Sequence, residues 1–206
     1  FSCYVDKLRW ISIWHQLDEV IKLNPGNVLE VGPGPGLFKG AAKSLGVHVE
    51  TLDLDPELEP DHVASVFDIP FEDNAFDVVC AFQMLEHLPF DQSLLAFREL
   101  VRVAKNAVVI SLPDAATRWP ISIHVPKVGL VQFSLPRPRL VALKHKFDGE
   151  HYWEINKAGY SFKHVKKELL DCGMVSLLKT FRVHENPYHR FFVFEKENNN
   201  KGCSKL

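Results

Sequence analysis

Apolar side chains recur at Trp10, Ile13, Trp14, Leu17 and Ile21, three or four positions apart, which predicts an amphipathic helix near the start of the chain. Asn24-Pro25-Gly26-Asn27 ends it. The next apolar run, Val28-Leu29-Glu30-Val31, has the length of a strand, and beyond a glycine-rich turn Leu37 to Leu45 returns to helical spacing. Val47 to Leu54 alternates as a second strand that stops at Asp55-Pro56. The link from Pro56 to Pro60 leaves room for a stunted helix only, and His62 to Ser65 is a weak third strand. Phe76 to Phe82 reads as a strong buried strand. Asp91 is placed to cap a helix with Leu94, Leu95, Phe97, Leu100 and Val101 on its inner side, and Ala107 to Leu112 is another buried strand. Ser161 caps a last helix that turns Phe162, Val165 and Leu169 inward and ends at Gly173. Val175 to Val183 and Arg190 to Phe194 then form a hairpin about Glu185-Asn186-Pro187.

Strands alternating with helices predict an α/β fold with a parallel sheet covered on both faces, and the closing hairpin makes the last strand antiparallel. No internal repeat or domain boundary stands out, so residues 1–196 are expected to form one domain. Between Pro113 and Asn156 the pattern breaks down, with prolines at 113, 120, 126, 136 and 138. Long irregular insertions are usually functional, so 113–156 is expected to be a lid or substrate-binding region. Residues 197–206, with Asn198-Asn199-Asn200, are expected to be a disordered tail.

Composition narrows the function classes. Hydrophobic residues at 46% and charged residues at 24% suit a packed soluble domain. A formal charge of −2 disfavours a dedicated nucleic-acid binder. No apolar run is long enough for a transmembrane helix, and the opening residues Phe1 to Asp6 do not resemble a signal peptide. The chain lacks an initiator Met, so a preceding segment stays open. Cys3, Cys80, Cys172 and Cys203 form no C-x-x-C pair, which argues against structural zinc or a disulfide framework; with no metal cluster evident, no metal site is expected. A cytoplasmic setting is the resulting expectation.

The stretch with most chemistry is Glu30-Val31-Gly32-Pro33-Gly34-Pro35-Gly36, between a strand and a helix. Glycine permits a sharp turn and close approach of a ligand to the main chain, and amides at the following helix start can meet an anion. The spacing is E-x-G-x-G-x-G: the third position of the nicotinamide pattern G-x-G-x-x-G is Leu37, and no P-loop pattern occurs.

Here the sequence resembles the class I S-adenosylmethionine-dependent methyltransferases, of the methyltransferase type 11 kind. Val28 to Gly36 is similar to their first motif, and Thr51-Leu52-Asp53-Leu54-Asp55 to the second. Asp68 to Asp77 resembles their "LPF…FD" stretch, Met84-Leu85-Glu86-His87-Leu88 the "LEH" segment, and Arg98 to Val103 the helix entering the fifth strand. The resemblance covers roughly residues 28 to 113 and implies a Rossmann-like, doubly wound, mostly parallel seven-stranded sheet with an antiparallel C-terminal strand.

The resemblance also implies roles. Gly32, Gly34 and Gly36 pass beneath the methionine part of S-adenosyl-L-methionine, and Glu30 holds the loop and the cofactor's amino-acid end. Asp53, with Leu54 beside it, accepts from the ribose hydroxyls; Asp68 and its neighbours lie near the adenine; Gln83 and Met84 line the cofactor. Where many relatives carry an acid three residues before Asp68, this chain has Ser65. His87 and His151 are the candidate general bases for a hydroxyl acceptor. Each also has a structural reading, His87 in a hydrogen bond and His151 in packing of the insertion.

The [DNS]-P-P-[YFW] element of nucleobase amino-methyltransferases is missing, since Ala81-Phe82-Gln83-Met84 stands there. The expected acceptor is accordingly a small molecule, lipid or saccharide. Protein or RNA methylation, and a catalytically inactive cofactor-binding partner subunit, are the alternatives. The run Arg137, Arg139, Lys144, His145, Lys146 reads as a solvated face, or as a contact for an anionic acceptor or a peripheral membrane surface. Oligomeric state is left open.

Overall fold

The computed structural model describes residues 6–138, 143–147 and 149–197. The expected tail, 197–206, lies outside the described residues except for Glu197.

Four strands open the sheet: the buried β1 (Val28–Val31), β2 (Val49–Asp53) and β4 (Phe76–Phe82), and the short, more exposed edge strand β3 (His62–Val63). β5 (Ala104–Pro113) follows, and after an insertion come β8 (Val175–Arg182) and β9 (His189–Lys196). Their order is β3-β2-β1-β4-β5-β9-β8, with β9 antiparallel to both neighbours and β1, β2, β3, β4 and β5 mutually parallel. This is the expected seven-stranded sheet, with the antiparallel last strand set inside it and not at its edge.

Alternation along the strands explains why helices cover both faces. Leu29 and Val79 join Phe97 and Leu100 of α3 (Phe90–Val103) and Val165 and Leu169 of α4 (Phe162–Cys172) in one buried cluster. Val28, Val78 and Cys80 point the other way, onto Val20 of α1 (Lys7–Ile21) and Phe38 and Ala42 of α2 (Leu37–Ser44).

Three helix details differ from the pattern reading. On α1 the inner face is Ser12, Ile13, Gln16, Glu19 and Val20, while Trp10 and Trp14 are more than half exposed. The helix is thus rotated away from its most apolar stripe. α3 starts one residue before Asp91, with Pro89 at the cap position, so Asp91 sits in the first turn, where its charge still favours the helix dipole. Leu95 of α3 is half exposed, because the inward arc runs through Ser93, Ala96, Phe97, Leu100 and Val101. Ser161 caps α4 as expected, accepting from the His164 N–H.

The 113–156 segment is more regular than its prolines suggested. β6 (Arg118–Val125) and β7 (Gly129–Pro136) form a separate antiparallel hairpin. Pro120 is tolerated because a two-stranded ribbon has an unpaired edge on every strand, and Pro126 falls in the turn. Both ends of the segment are anchored. Asp114 N–H donates to the Tyr188 carbonyl at 2.7 Å, Ile155 N–H to that of Pro113 at 3.0 Å, and buried Trp153 Nε1–H to that of Leu88 at 3.2 Å. The Asp114 carboxylate is fully buried and accepts from Arg182, Arg190 and Asn156.

Candidate functional site

In this topology β1 leads outward to β2 on one side, while β4 lies on its other side, so a crevice opens beyond their carboxyl ends. A cleft of about 320 Å³ lies there, lined among others by Glu30, Gly32, Gly34, Asp53, Gln83 and His87. A second cavity of about 220 Å³ shares Gly32, Asp53, Met84 and His87 with it and continues along Leu54, Ser65, Val66 and Phe67.

The floor is the glycine turn. Gly32, Gly34 and Gly36 all have positive φ, at 72°, 53° and 69°, a region that side chains disfavour. At Gly32 there is a second constraint: a Cβ would stand 2.5 Å from Met84 Cγ. Gly36 occupies the cap position of α2 without itself lining the cleft. Pro33 and Pro35 stiffen the loop between the glycines.

Acids meet this floor from two sides. Glu30, 3% exposed, has Oε2 with no hydrogen-bond partner among the described residues, and burial raises its pKa to about 8 against the weaker pull of Lys39. Asp53, at the tip of β2, spends Oδ1 on the Asp55 N–H at 3.0 Å. Asp55 in turn caps the following 3₁₀ turn, accepting from Glu57 N–H, so Asp53 is not needed as that cap.

Gln83 adopts φ 52°, an uncommon value for a side-chain-bearing residue. It is held there by its N–H to the Ser111 carbonyl at 3.0 Å and its Nε2 to Ser111 Oγ at 3.2 Å. The bend turns Met84 over Gly32. Leu54 is 71% exposed and borders the second cavity.

Asp68 does not line either cavity. It is exposed on a neighbouring surface with Glu99 and Arg102, and Ser65, Val66 and Phe67 supply the lining in its place. The loop after Asp68 is held by the Arg102 guanidinium, which donates to the carbonyls of Ile69 and Phe71, both at 2.8 Å.

His87 lines both cavities, and His151, which lines neither, is brought to it from 64 residues away, with ring centroids 5.1 Å apart and edge-on. His87 Nδ1 lies 3.1 Å from the Glu150 carbonyl oxygen; burial, then His151, lowers its pKa. His151 Nδ1 lies 3.6 Å from Glu154 Oε1. Beside them Glu86 is completely buried, with neither carboxylate oxygen hydrogen-bonded among the described residues, and burial raises its pKa to about 8. Glu86, His87 and His151 each place one ligand atom within 4.8 Å of the others, a spacing open to a divalent cation. Only folding assembles this grouping, since His151 is 64 residues from His87 in the sequence.

The sequence reading also missed the cleft's second wall. Arg9, Ser12 and Gln16 of α1 line it, as does His189 at the start of β9. His189 is 7% exposed, and burial, helped by Arg9, lowers its pKa to about 4. A usable signal existed: Ser12, Gln16 and Glu19 form a polar stripe at helical spacing in a helix where Trp10 and Trp14 face out.

Comparisons with known proteins bear on the fold that carries this cleft. Residues 29–111 match a family model described as a methyltransferase domain. A curated protein of Haemophilus influenzae described as uncharacterized is 36% identical, over 38% of this chain. The match spans only 38% of that relative's length. A solved structure of the PH0226 protein from Pyrococcus horikoshii OT3 is 15% identical, covering 94% of this chain and 93% of that one, with a TM-score of 0.62. The 1,6-didemethyltoxoflavin-N1-methyltransferase of Burkholderia thailandensis, solved with that compound and S-adenosylhomocysteine, is 13% identical at 84% and 72% coverage, TM-score 0.55. The magnesium protoporphyrin IX methyltransferase of Synechocystis PCC 6803, solved with bound SAM, is 15% identical at 92% and 79% coverage, TM-score 0.55. Over residues 29–111 the chain is thus similar to the methyltransferase-domain family, and its mostly parallel seven-stranded sheet shares the fold of these solved methyltransferase structures.

Proposed function

We propose that the chain is a methyltransferase that binds S-adenosyl-L-methionine across the two joined cavities and methylates a small-molecule, lipid or saccharide acceptor entering beside His87 and His151. The observation that carries this reading is the pairing of a side-chain-free floor with unsatisfied acid: Gly32 leaves no room for a Cβ, and the adjacent Glu30 Oε2 lacks a partner. A buried carboxyl oxygen without a donor is costly, and a ligand ammonium would satisfy it. Asp53, at the junction of the two cavities, is placed to accept from a ribose, and the apolar lining by Val66, Phe67 and Leu54 suits a purine ring.

The cofactor supplies an activated methyl group on a sulfonium. This chain's residues hold the reactants in line and keep water out, which contributes through orientation more than through covalent chemistry. For a hydroxyl acceptor, the leaving proton needs an acceptor near neutral pH. Burial keeps His87 neutral, so an imidazole nitrogen of the His87–His151 pair is available to take it. His151 is steadied by Glu154 and His87 by the Glu150 carbonyl, so both rings are oriented before any acceptor arrives.

Isothermal titration calorimetry with S-adenosylhomocysteine tests binding, and a tritiated-methyl screen over hydroxylated small molecules, glycolipids and saccharides tests transfer. Absence of S-adenosylhomocysteine binding by the folded chain would remove the reading.

A further inference from the structure

Residues 115–147 contain six Arg or Lys and no Asp or Glu, in a chain whose formal charge is −2; the remainder is therefore −8. Within this cationic stretch, β6 and β7 pair Trp119 with Leu135, Ile121 with Phe133 and Ile123 with Val131. Residues directly opposite in a ladder project from the same face, and successive residues from opposite faces. One face of the hairpin is consequently all apolar, while the other carries Arg118, Ser122, His124, Gln132 and Ser134.

An amphipathic ribbon ordinarily turns its apolar side to the core. This one leaves its apolar side exposed. Its polar face is tied to the β8–β9 turn: Ser122 Oγ lies 3.0 Å from His184 Nε2, and Gln132 Nε2–H donates to Glu185 Oε1 at 3.3 Å. On the apolar face Trp119 is 52% exposed, Ile123 48%, Phe133 42% and Leu135 46%. Lys127 sits in the turn at the tip, Arg137 at the foot, and Lys144 and Lys146 follow, all exposed.

We propose that this hairpin docks the chain on an anionic bilayer surface, its apolar face at the acyl boundary and the cations Lys127, Arg137, Lys144 and Lys146 among phosphate headgroups. Charge complementarity selects this occupant. A second copy meeting it hairpin to hairpin would bring a like-charged stretch with no acid to pair with, whereas an anionic leaflet attracts every cation in it. An exposed Trp beside a basic cluster is also what the membrane interface favours. The proposal stands independently of the methyl acceptor.

The test is sedimentation of the full chain with sucrose-loaded vesicles of phosphatidylcholine alone or with about 30% phosphatidylglycerol. The partition coefficient onto anionic vesicles should fall at least about tenfold without phosphatidylglycerol or when salt is raised to about 0.5 M. Ile123→Ser/Phe133→Ser and Lys127→Glu/Arg137→Glu should each lower it by a similar factor. Melting temperature and S-adenosylhomocysteine affinity, unchanged in both double variants, establish that fold and cleft are intact. If the parent binds vesicles but not S-adenosylhomocysteine, the docking surface stands and the enzymatic reading falls. The proposal is overturned by no partition of the parent at low salt, or by partition that both variants retain. Self-association that Ile123→Ser/Phe133→Ser abolishes, without vesicle binding, also overturns it and gives the face to a second copy.

Discussion

Glu30→Gln is expected to stabilise the ligand-free protein while weakening its hold on S-adenosylhomocysteine. Burial lifts the Glu30 carboxyl from 4.5 to about 8 in the folded chain. A carboxyl whose folded pKa exceeds its unfolded value favours folding most below the unfolded pKa, and this contribution is lost as pH rises from about 4.5 towards 8. At about 1.4 kcal/mol per pH unit, the loss by pH 7 amounts to about 2–3 kcal/mol once relaxation of the buried site is allowed for. Glutamine has nearly the same shape and no proton to lose, so the variant should recover that energy. In a chain of this size the gain corresponds to a melting temperature raised by roughly 5–10 °C at pH 7, shrinking towards zero near pH 4.5. Binding moves the other way. At pH 7 the empty site is protonated by roughly ten to one, so a ligand ammonium that ionises Glu30 should release close to one proton. Calorimetry in buffers of different ionisation enthalpy measures that release directly. The parent should release about 0.9 proton and gain affinity between pH 6 and about 8, levelling off where the ligand's own amino group titrates. Glu30→Gln should release almost none and show a flat profile. A variant no more stable than the parent, or a parent that releases no proton on binding, would refute the assignment of Glu30 as a buried acid awaiting an ammonium.

Asp53→Ala should weaken S-adenosylhomocysteine binding by about 1–3 kcal/mol through lost charge-assisted hydrogen bonds, with the melting temperature of the free protein little changed; equal affinity by calorimetry would take Asp53 out of the site. Gly32→Ala should destabilise the protein and abolish binding, since its Cβ falls 2.5 Å from Met84 Cγ at a φ of 72°; a normal dissociation constant would contradict the floor described above. Once an acceptor is found, His151→Ala and His87→Ala should lower kcat for a hydroxyl substrate by roughly 10²–10⁴, with S-adenosylhomocysteine affinity preserved in His151→Ala, and an unaltered kcat in both would exclude the pair as base. Asp114→Ala should cost about 3–5 kcal/mol in chemical denaturation, because it strands Arg182 and Arg190 against a buried vacancy, and a loss under 1 kcal/mol would show that the cluster is not the anchor of the insertion.

Much of this protein was legible in one dimension because the information is local. Strand and helix periods are set by neighbouring residues, so the buried run Phe76–Phe82, the capping Ser161 and the E-x-G-x-G-x-G turn could be read in place, and the turn's positive φ values follow from its glycines. Asp53 was readable for the same reason, since Asp55-Pro56 takes the capping role next to it. What depended on tertiary structure was everything that requires distance or burial. Asp68 lies outside the cleft, on a surface it shares with Arg102 from 34 positions later, and the Glu86–His87–His151 grouping joins segments that are remote in sequence. The rotation of α1, with Trp10 and Trp14 outward and Ser12 and Gln16 on the cleft, reflects which face the sheet edge could accept. The hairpin β6–β7 shows the limit most clearly: alternation identifies an apolar face, but only its polar tethers to His184 and Glu185 decide that this face looks outward. Local pattern specifies which atoms lie on the same side of an element; packing alone determines what that side meets.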